Sequence, residues 1–184
     1  MLIVTGPSCS GKSTFGRIAK AKGAEVIETT DVVKESFRSS GAPGEDIIEF
    51  CVRSYREAGE DVFATRNYER IVRCGYDLRR LVCMGFRAAG EVECFRRLLP
   101  STRVIGIYAD TTIRYERGLL RDRADCARSL EDFVRRDMRE YSMGLAALFS
   151  RTLDVLVLNN GTMSEFEYRV ERELSLSDGS QEAR

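Results

Sequence analysis

A three-layer α/β fold, built on a five-stranded parallel sheet with helices on both faces, is what this sequence predicts, and three observations carry the prediction. Short apolar runs of strand length alternate with longer segments of helical spacing. The first of these runs passes straight into a glycine-rich loop and then into a helical pattern. The chain has 184 residues, a size at which one domain buries about 70% of the surface its unfolded form exposes, so a single core is the default.

The elements follow in order. Residues 2 to 5 (LIVT) read as a buried strand, 12 to 22 as a helix, and 24 to 28 (AEVIE) as a second strand after Gly23. An amphipathic pattern from Asp31 to about Arg38 predicts a helix, which the Gly and Pro of 39 to 44 end. Helical spacing returns over 45 to 59 and, after Gly59, over 60 to 73. LVCM (81 to 84) is the third strand, 88 to 99 a helix stopped by Pro100, and VIGIYA (104 to 109) the fourth strand. Residues 111 to 120 are helical and 121 to 128 form a charged loop. A helix then opens at 129, with Ser129 and Asp132 in capping-box spacing. DVLVL (154 to 158) is the fifth strand, NNGT a turn, and 163 to 175 the last helix. One domain over residues 1 to 176 is expected, with 177 to 184 as a frayed tail. Within it, residues 31 to 75 form an insertion that clamps an acceptor, and the arginine-rich stretch 114 to 139 forms a lid.

Composition excludes several classes of function. Lys+Arg and Asp+Glu are both 29, so no overall field draws the chain to nucleic acid or to an acidic membrane. No apolar run approaches the roughly 18 residues of a membrane span, and no leader pattern precedes the first strand, so a cytoplasmic monomer or homodimer is expected. There is no histidine, which removes imidazole acid-base chemistry, histidine metal sites and Ser/His or Cys/His nucleophiles. The six cysteines are scattered without C-x-x-C spacing and are expected to be reduced. Only four of the cations are lysines; the rest are arginines, whose planar fork suits phosphate.

The chemistry centres on Gly6-Pro7-Ser8-Cys9-Ser10-Gly11-Lys12-Ser13, which satisfies G-x-x-x-x-G-K-[ST] between a strand and a helix. Its glycines allow a tight course on which successive N–H groups and the helix N-terminus face phosphates. Lys12 is expected on the β- and γ-phosphates and Ser13 on Mg²⁺, so ATP with Mg²⁺ is the implied ligand pair. Gly6, Ser8, Cys9, Ser10, Gly11, Lys12, Ser13 and Thr14 make up the predicted nucleotide-binding set. After the second strand, Asp31 and Lys34 stand one helical turn apart. Either Asp31 orients metal-bound water or an acceptor while Lys34 holds acceptor phosphate, or the pair is a helix cap and a solvated lysine. Arg87, after the third strand, is placed to bind phosphate, and Gly85 to let a ligand approach closely. Arg66 either joins them or faces solvent. Beyond the fourth strand, Arg114, Arg117, Arg121 and Arg123 crowd into ten residues, and Arg117 and Arg121, one turn apart, are the expected polyphosphate ligands of a lid.

With those residues in place, the chain resembles the P-loop nucleoside monophosphate kinase and dephospho-CoA kinase superfamily. GAEVIETTDVV is similar to the acceptor-side aspartate stretch of dephospho-CoA kinases, with Asp31 in the second aspartate position and Thr29 in place of the first. TTDVVK resembles the acceptor helix of adenylate kinases, with Lys34 where they have arginine, and MGFR resembles their Asp-Gly-Phe-Pro-Arg motif. The overall likeness is to an archaeal dephospho-CoA-kinase-like family, through GFRAAGEVECFR, RYER, FVRRDMRE and NNGTMSEF. It implies transfer of the ATP γ-phosphoryl to a nucleotide-like acceptor, Arg87 on the acceptor phosphate, and Asn160 and Gly161 lining the adenine pocket. Met84 stands where relatives carry an aspartate, and it cannot hold Mg²⁺ through water. That departure keeps a second reading open, an ATP-binding or slowly hydrolysing protein that acts on a macromolecular partner.

Overall fold

The protein is described by a computed structural model covering residues 1–120, 127 and 129–179, with the backbone alone for 177–179. Five strands, β1 (Leu2–Thr5), β2 (Glu25–Glu28), β3 (Leu81–Met84), β4 (Arg103–Tyr108) and β5 (Val155–Leu158), form one sheet in the order β2-β3-β1-β4-β5. Every pairing is parallel, with Ile3 opposite Cys83 on one side and Val104 on the other. Parallel neighbours need crossover segments, and the helices that supply them cover both faces.

Successive side chains on β1 point to opposite faces and are all buried, because each face has its own core. On one face Leu2 and Val4 pack with Phe15, Ile18 and Ala19 of α1 (Lys12–Ala21) and with Phe166 and Val170 of α9 (Met163–Gly179). On the other, Ile3 and Cys83 meet Ala64 and Ile71 of α4 (Val62–Cys74) and Val92 and Phe95 of α5 (Ala89–Leu98). A smaller core joins α2 (Thr30–Ser40), α3 (Ile47–Ala58) and α4, where Phe50 and Phe63 pack with Val33, Phe37 and Tyr55. These three helices lie between the second and third strands.

Half of the capping box expected at Ser129 forms, its side chain accepting from the Asp132 N–H at the start of α7 (Leu130–Glu140), while a full box forms at Asp46, whose side chain accepts from the N–H groups of Ile48 and Glu49 at the start of α3. The last helix continues through Gly179, beyond the frayed start expected at 177. Burial pushes the Cys51 and Cys83 thiols up to about 12, which makes them core residues with no thiolate chemistry.

The segment between α7 and β5, which sequence patterning leaves unassigned, folds as a π turn (Tyr141–Leu145) running into α8 (Ala146–Arg151), whose Leu148 joins the core beside Val92 and Phe95 of α5. α6 spans Thr111–Leu119 and packs against α7. Gly144 in the π turn has φ 146°, and a Cβ there would lie 2.9 Å from the Arg87 carbonyl oxygen and 3.1 Å from the Ala88 Cα. The turn therefore rests directly on the backbone that carries Arg87. A π bulge of this kind commonly marks a functional position in a helix, and here it fixes the end of α7 against the crevice.

Candidate active site

β1 ends at Thr5, whose hydroxyl donates to the Phe86 carbonyl at 2.8 Å and ties the start of the loop to the end of β3. The loop then enters α1 with Gly11 at the N-cap and no side-chain cap. The first N–H groups of α1 are thus left for an anion. Cys9 has φ 62°, the one positive φ outside glycine among the described residues, so the loop holds a strained turn where ligand would sit. The Lys12 ammonium donates to the Gly6 and Pro7 carbonyls at 2.6 and 2.8 Å. Burial, then the nearby Arg87 charge, pulls its pKa down to about 7, with Glu140 and Glu28 acting the other way. Asn159, at the end of β5, donates from Nδ2 to the Ser10 carbonyl at 2.8 Å, and Arg117 donates to the Asn159 carbonyl at 2.9 Å. Arg117 is thus linked to the loop through Asn159. Ser13 is exposed and Thr14 half-buried on the first turn of α1.

Across the crevice stands Arg87, paired with Glu140 at 2.7 Å. The Glu140 carboxylate also accepts from the Ser8 N–H at 3.1 Å and from the Ser8 hydroxyl at 2.5 Å. Burial raises the pKa of Glu140, but Arg87, the Ser8 hydrogen bond and Lys12 together hold it below the usual range. Beneath Arg87, the buried Glu91 accepts from the Arg87 and Ala88 N–H groups at 2.7 and 3.0 Å, capping α5 and fixing the bend that presents the guanidinium. Burial pushes Glu91 up to about 7 against the downward pull of those bonds.

That shift has a sign. A carboxyl whose folded pKa lies above its unfolded value makes the fold most stable below pH 4.5 and costs stability as pH rises to 7. Glu91→Gln keeps an oxygen for both N–H groups and removes the ionisation. It is expected to gain on the order of 2 kcal/mol over the native chain above pH 7, with the difference vanishing near pH 4.5. Urea unfolding at pH 5 and pH 8 measures both ends of the window.

The other predicted residues fall in different places. Asp31 and Lys34 are exposed on the first turns of α2, and Glu28, at the end of β2, feels both of them as well as Lys12. Burial raises the pKa of Glu28, with Lys12 opposing and Asp31 reinforcing. Arg66 is exposed on α4 and donates to the Ser36 hydroxyl of α2 at 2.6 Å. Gly85 has φ 105°, and what approaches it is the chain itself: a Cβ would meet the Thr29 hydroxyl at 3.0 Å. The close approach expected to serve a ligand instead serves the junction of β2 and β3. Met84 is a core residue, 3% exposed, whose thioether lies against Gly16 of α1. Asn160 accepts from the Asp110 N–H at 2.9 Å, and Gly161 is exposed beside Glu165. Arg121, Arg123 and most of the charged loop lie outside the described residues.

Arg114, one of the crowd of lid arginines, is buried structure. It is 1% exposed, grips both oxygens of Asp137, and donates to the Ser8 and Ala109 carbonyls. A cavity of about 530 Å³ opens beside Ser8, Cys9 and Glu140, walled by Ile47 and Ile48 of α3 and Tyr115 of α6. Arg139 of α7 reaches Asp46 at 2.7 Å, tying α7 to the start of α3 beside that cavity.

Glu140, Glu91, Asn159 and Asp137 are absent from the sequence-derived set. Glu91 had a readable signal, since it stands three residues after Ala88 at the helix start, in capping spacing. Glu140 had only its place in a charged helix, and no spacing tells a crevice-facing carboxylate there from a solvated one.

No family model matches the chain. A UPF0200 protein of Saccharolobus solfataricus is 32% identical over 172 residues, covering 93% of this chain and 90% of its own. The same identity and coverage hold for one from Saccharolobus islandicus. This chain belongs to the UPF0200 family. Another UPF0200 protein, from Thermoplasma acidophilum, is 29% identical over 177 residues, 95% of each chain. Among solved structures, a gluconokinase from Sinorhizobium meliloti 1021 superposes with TM-score 0.61 over 95% of this UPF0200 chain and 91% of its own, at 17% identity. A shikimate kinase from Bacteroides thetaiotaomicron gives TM-score 0.55 over 95% and 96%, at 14% identity. The fold is that of the P-loop kinases.

Proposed function

We propose that this UPF0200 protein transfers the γ-phosphoryl group of ATP to a small nucleotide-like acceptor, with a nucleoside or deoxynucleoside monophosphate favoured and dephospho-CoA next. The observation that carries the reading is the uncapped loop and helix start of Gly6 to Ser13, with Lys12 inside it and Arg87 facing it across the crevice. A triphosphate fits these residues. The Ser10 hydroxyl is fully buried in the loop without a hydrogen-bond partner, and the first N–H groups of α1 have no side-chain cap.

With a monophosphate acceptor, a phosphate oxygen of the acceptor attacks the γ-phosphorus, the bond to the bridging oxygen breaks, and ADP leaves. That oxygen is already anionic, so no proton has to be removed and the lack of histidine is no obstacle. Lys12 and the loop N–H groups hold the β- and γ-phosphates, and Arg117 with Arg121 stabilises the migrating charge from the lid. Arg87, with Lys34 and Arg66 at the rim of the insertion, holds the acceptor phosphate. Asn160 and Gly161 line the adenine side. Mg²⁺ would be held by the Ser13 hydroxyl and the phosphates, with Asp31 ordering its water, and it supplies charge neutralisation on the β- and γ-oxygens.

The test is ADP formation with Mg²⁺ and ATP across ribo- and deoxynucleoside monophosphates and dephospho-CoA. One acceptor is expected to raise turnover well above the acceptor-free rate. Arg87→Ala should raise the KM for that acceptor by about tenfold while leaving the KM for ATP within a factor of two or three. Equal weakening of both would remove Arg87 from the acceptor side. A second reading is favoured by Met84, which fills the core and leaves no carboxylate at the end of β3. On it, the protein binds ATP or hydrolyses it slowly while acting on a macromolecular partner, and ATP binding with no acceptor response would select it.

A further inference from the structure

Glu140 makes three contacts that belong to an anion site. It takes the N–H and the hydroxyl of Ser8, inside the phosphate loop, and it pairs with Arg87, the cation placed on the acceptor side. Lys12 is close enough to lower its pKa. The carboxylate is largely enclosed, its side chain 13% exposed, and it stands at the last residue of α7, where the π turn begins. A carboxylate and a phosphate edge present similar oxygens to such donors, and the donors cannot serve both.

We propose that Glu140 is a surrogate anion on the phosphate loop: it holds Ser8 and Arg87 in their ligand-binding arrangement, and bound polyphosphate displaces it. The proposal rests on the reading of the loop as a triphosphate site. It gives Glu140 a positioning and selective role. Polyphosphate on the loop takes over the two Ser8 contacts and releases Arg87 to the acceptor, so a chain of phosphates that also engages the N–H row and Lys12 outcompetes the carboxylate, whereas a single small anion does not. The displacement also has a place to go. Arg139, the preceding residue, holds Asp46 at the N-cap of α3, and Gly144, four residues on, rests against the Arg87 backbone, so movement of Glu140 is felt by both walls of the crevice.

The experiment is calorimetric binding of Mg²⁺-ATP and of inorganic tripolyphosphate, without turnover, to the full chain and to three variants. Glu140→Gln keeps an oxygen for Ser8 and removes the charge that competes with phosphate; it is expected to bind both ligands about tenfold more tightly. Glu140→Asp keeps the charge but retracts it by one methylene, so it cannot span Ser8 and Arg87 together, and it too is expected to bind more tightly than the native chain. Glu131→Gln, on the exposed first turn of α7, controls for a general field effect and should leave affinity within a factor of two. The melting temperature of each variant confirms that it folds. Unchanged or weaker binding in Glu140→Gln would overturn the proposal, as would an Asp variant indistinguishable from the native chain while Gln binds tightly, which would mark a field effect only. Failure of the native chain to bind either ligand would instead remove the triphosphate reading on which the proposal stands.

Discussion

Lys12→Ala is expected to lower ATP turnover by about a thousandfold or more, the largest loss of any single substitution in the crevice. The ammonium lies within the loop on the Gly6 and Pro7 carbonyls, and alanine leaves no cation at that place. Near-normal turnover in the variant would refute the assignment of the loop as the phosphate site. A second measurement reads the same residue without turnover. In the free protein burial holds the Lys12 pKa at about 7, below the usual lysine range, so at pH 8 most molecules carry it neutral. Phosphates beside it favour the charged form, so triphosphate binding at pH 8 should take up close to one proton, and at pH 6 almost none. Calorimetry in two buffers of different ionisation enthalpy gives that number, and Lys12→Ala should abolish the difference between the two pH values.

What the sequence made legible, and what it hid, follows from how local each signal is. The loop and the strand-helix alternation are local: eight consecutive residues specify Gly6 to Ser13, and each strand is a short apolar run bounded by turns. Four arginines crowd into ten residues of the sequence, and Arg117 among them meets Asn159 beside the loop. Which of them turns inward is a tertiary fact. Arg114 looks like Arg117 in sequence, but its turn of α6 faces Asp137 and Phe133, its guanidinium carbon 5.4 Å from the Phe133 ring centre. Glu140 is hidden for the same reason, since it owes its role to a loop 132 residues away. The π turn is hidden for another. Its sequence, YSMGL, has no breaker except Gly144, and that glycine is required by contact with the Arg87 backbone and not by any local turn. Met84 shows a third limit. Its contrast with an expected aspartate was visible, and its reason, the space above Gly16, was not.

The buried pair of Arg114 and Asp137 carries the largest expected effect on stability. Arg114 is 1% exposed and the Asp137 side chain 9%, and the guanidinium meets both carboxylate oxygens, one of them at 2.6 Å. Its remaining N–H groups reach the Ala109 and Ser8 carbonyls and the Thr111 hydroxyl, so the cation is satisfied on every side. Removing one partner leaves an uncompensated charge in the interior. Arg114→Met and Asp137→Leu are each expected to cost about 3–5 kcal/mol, or roughly 10 °C in melting temperature for a domain of this size. The double variant should recover much of that loss, because it returns neither charge to the core. A double variant as unstable as the sum of the singles would mean that the pair acts mainly through its hydrogen bonds to the loop. Those bonds make a second expectation. Arg114 supports the Ser8 carbonyl while Asp137 stands one turn before Glu140 on the same face of α7, so the pair sets the distance between the phosphate loop and the carboxylate that lies on it. The double variant, even where it folds, should therefore bind tripolyphosphate with altered affinity while Glu131→Gln does not, which separates a role in placing the loop from a role in the core alone.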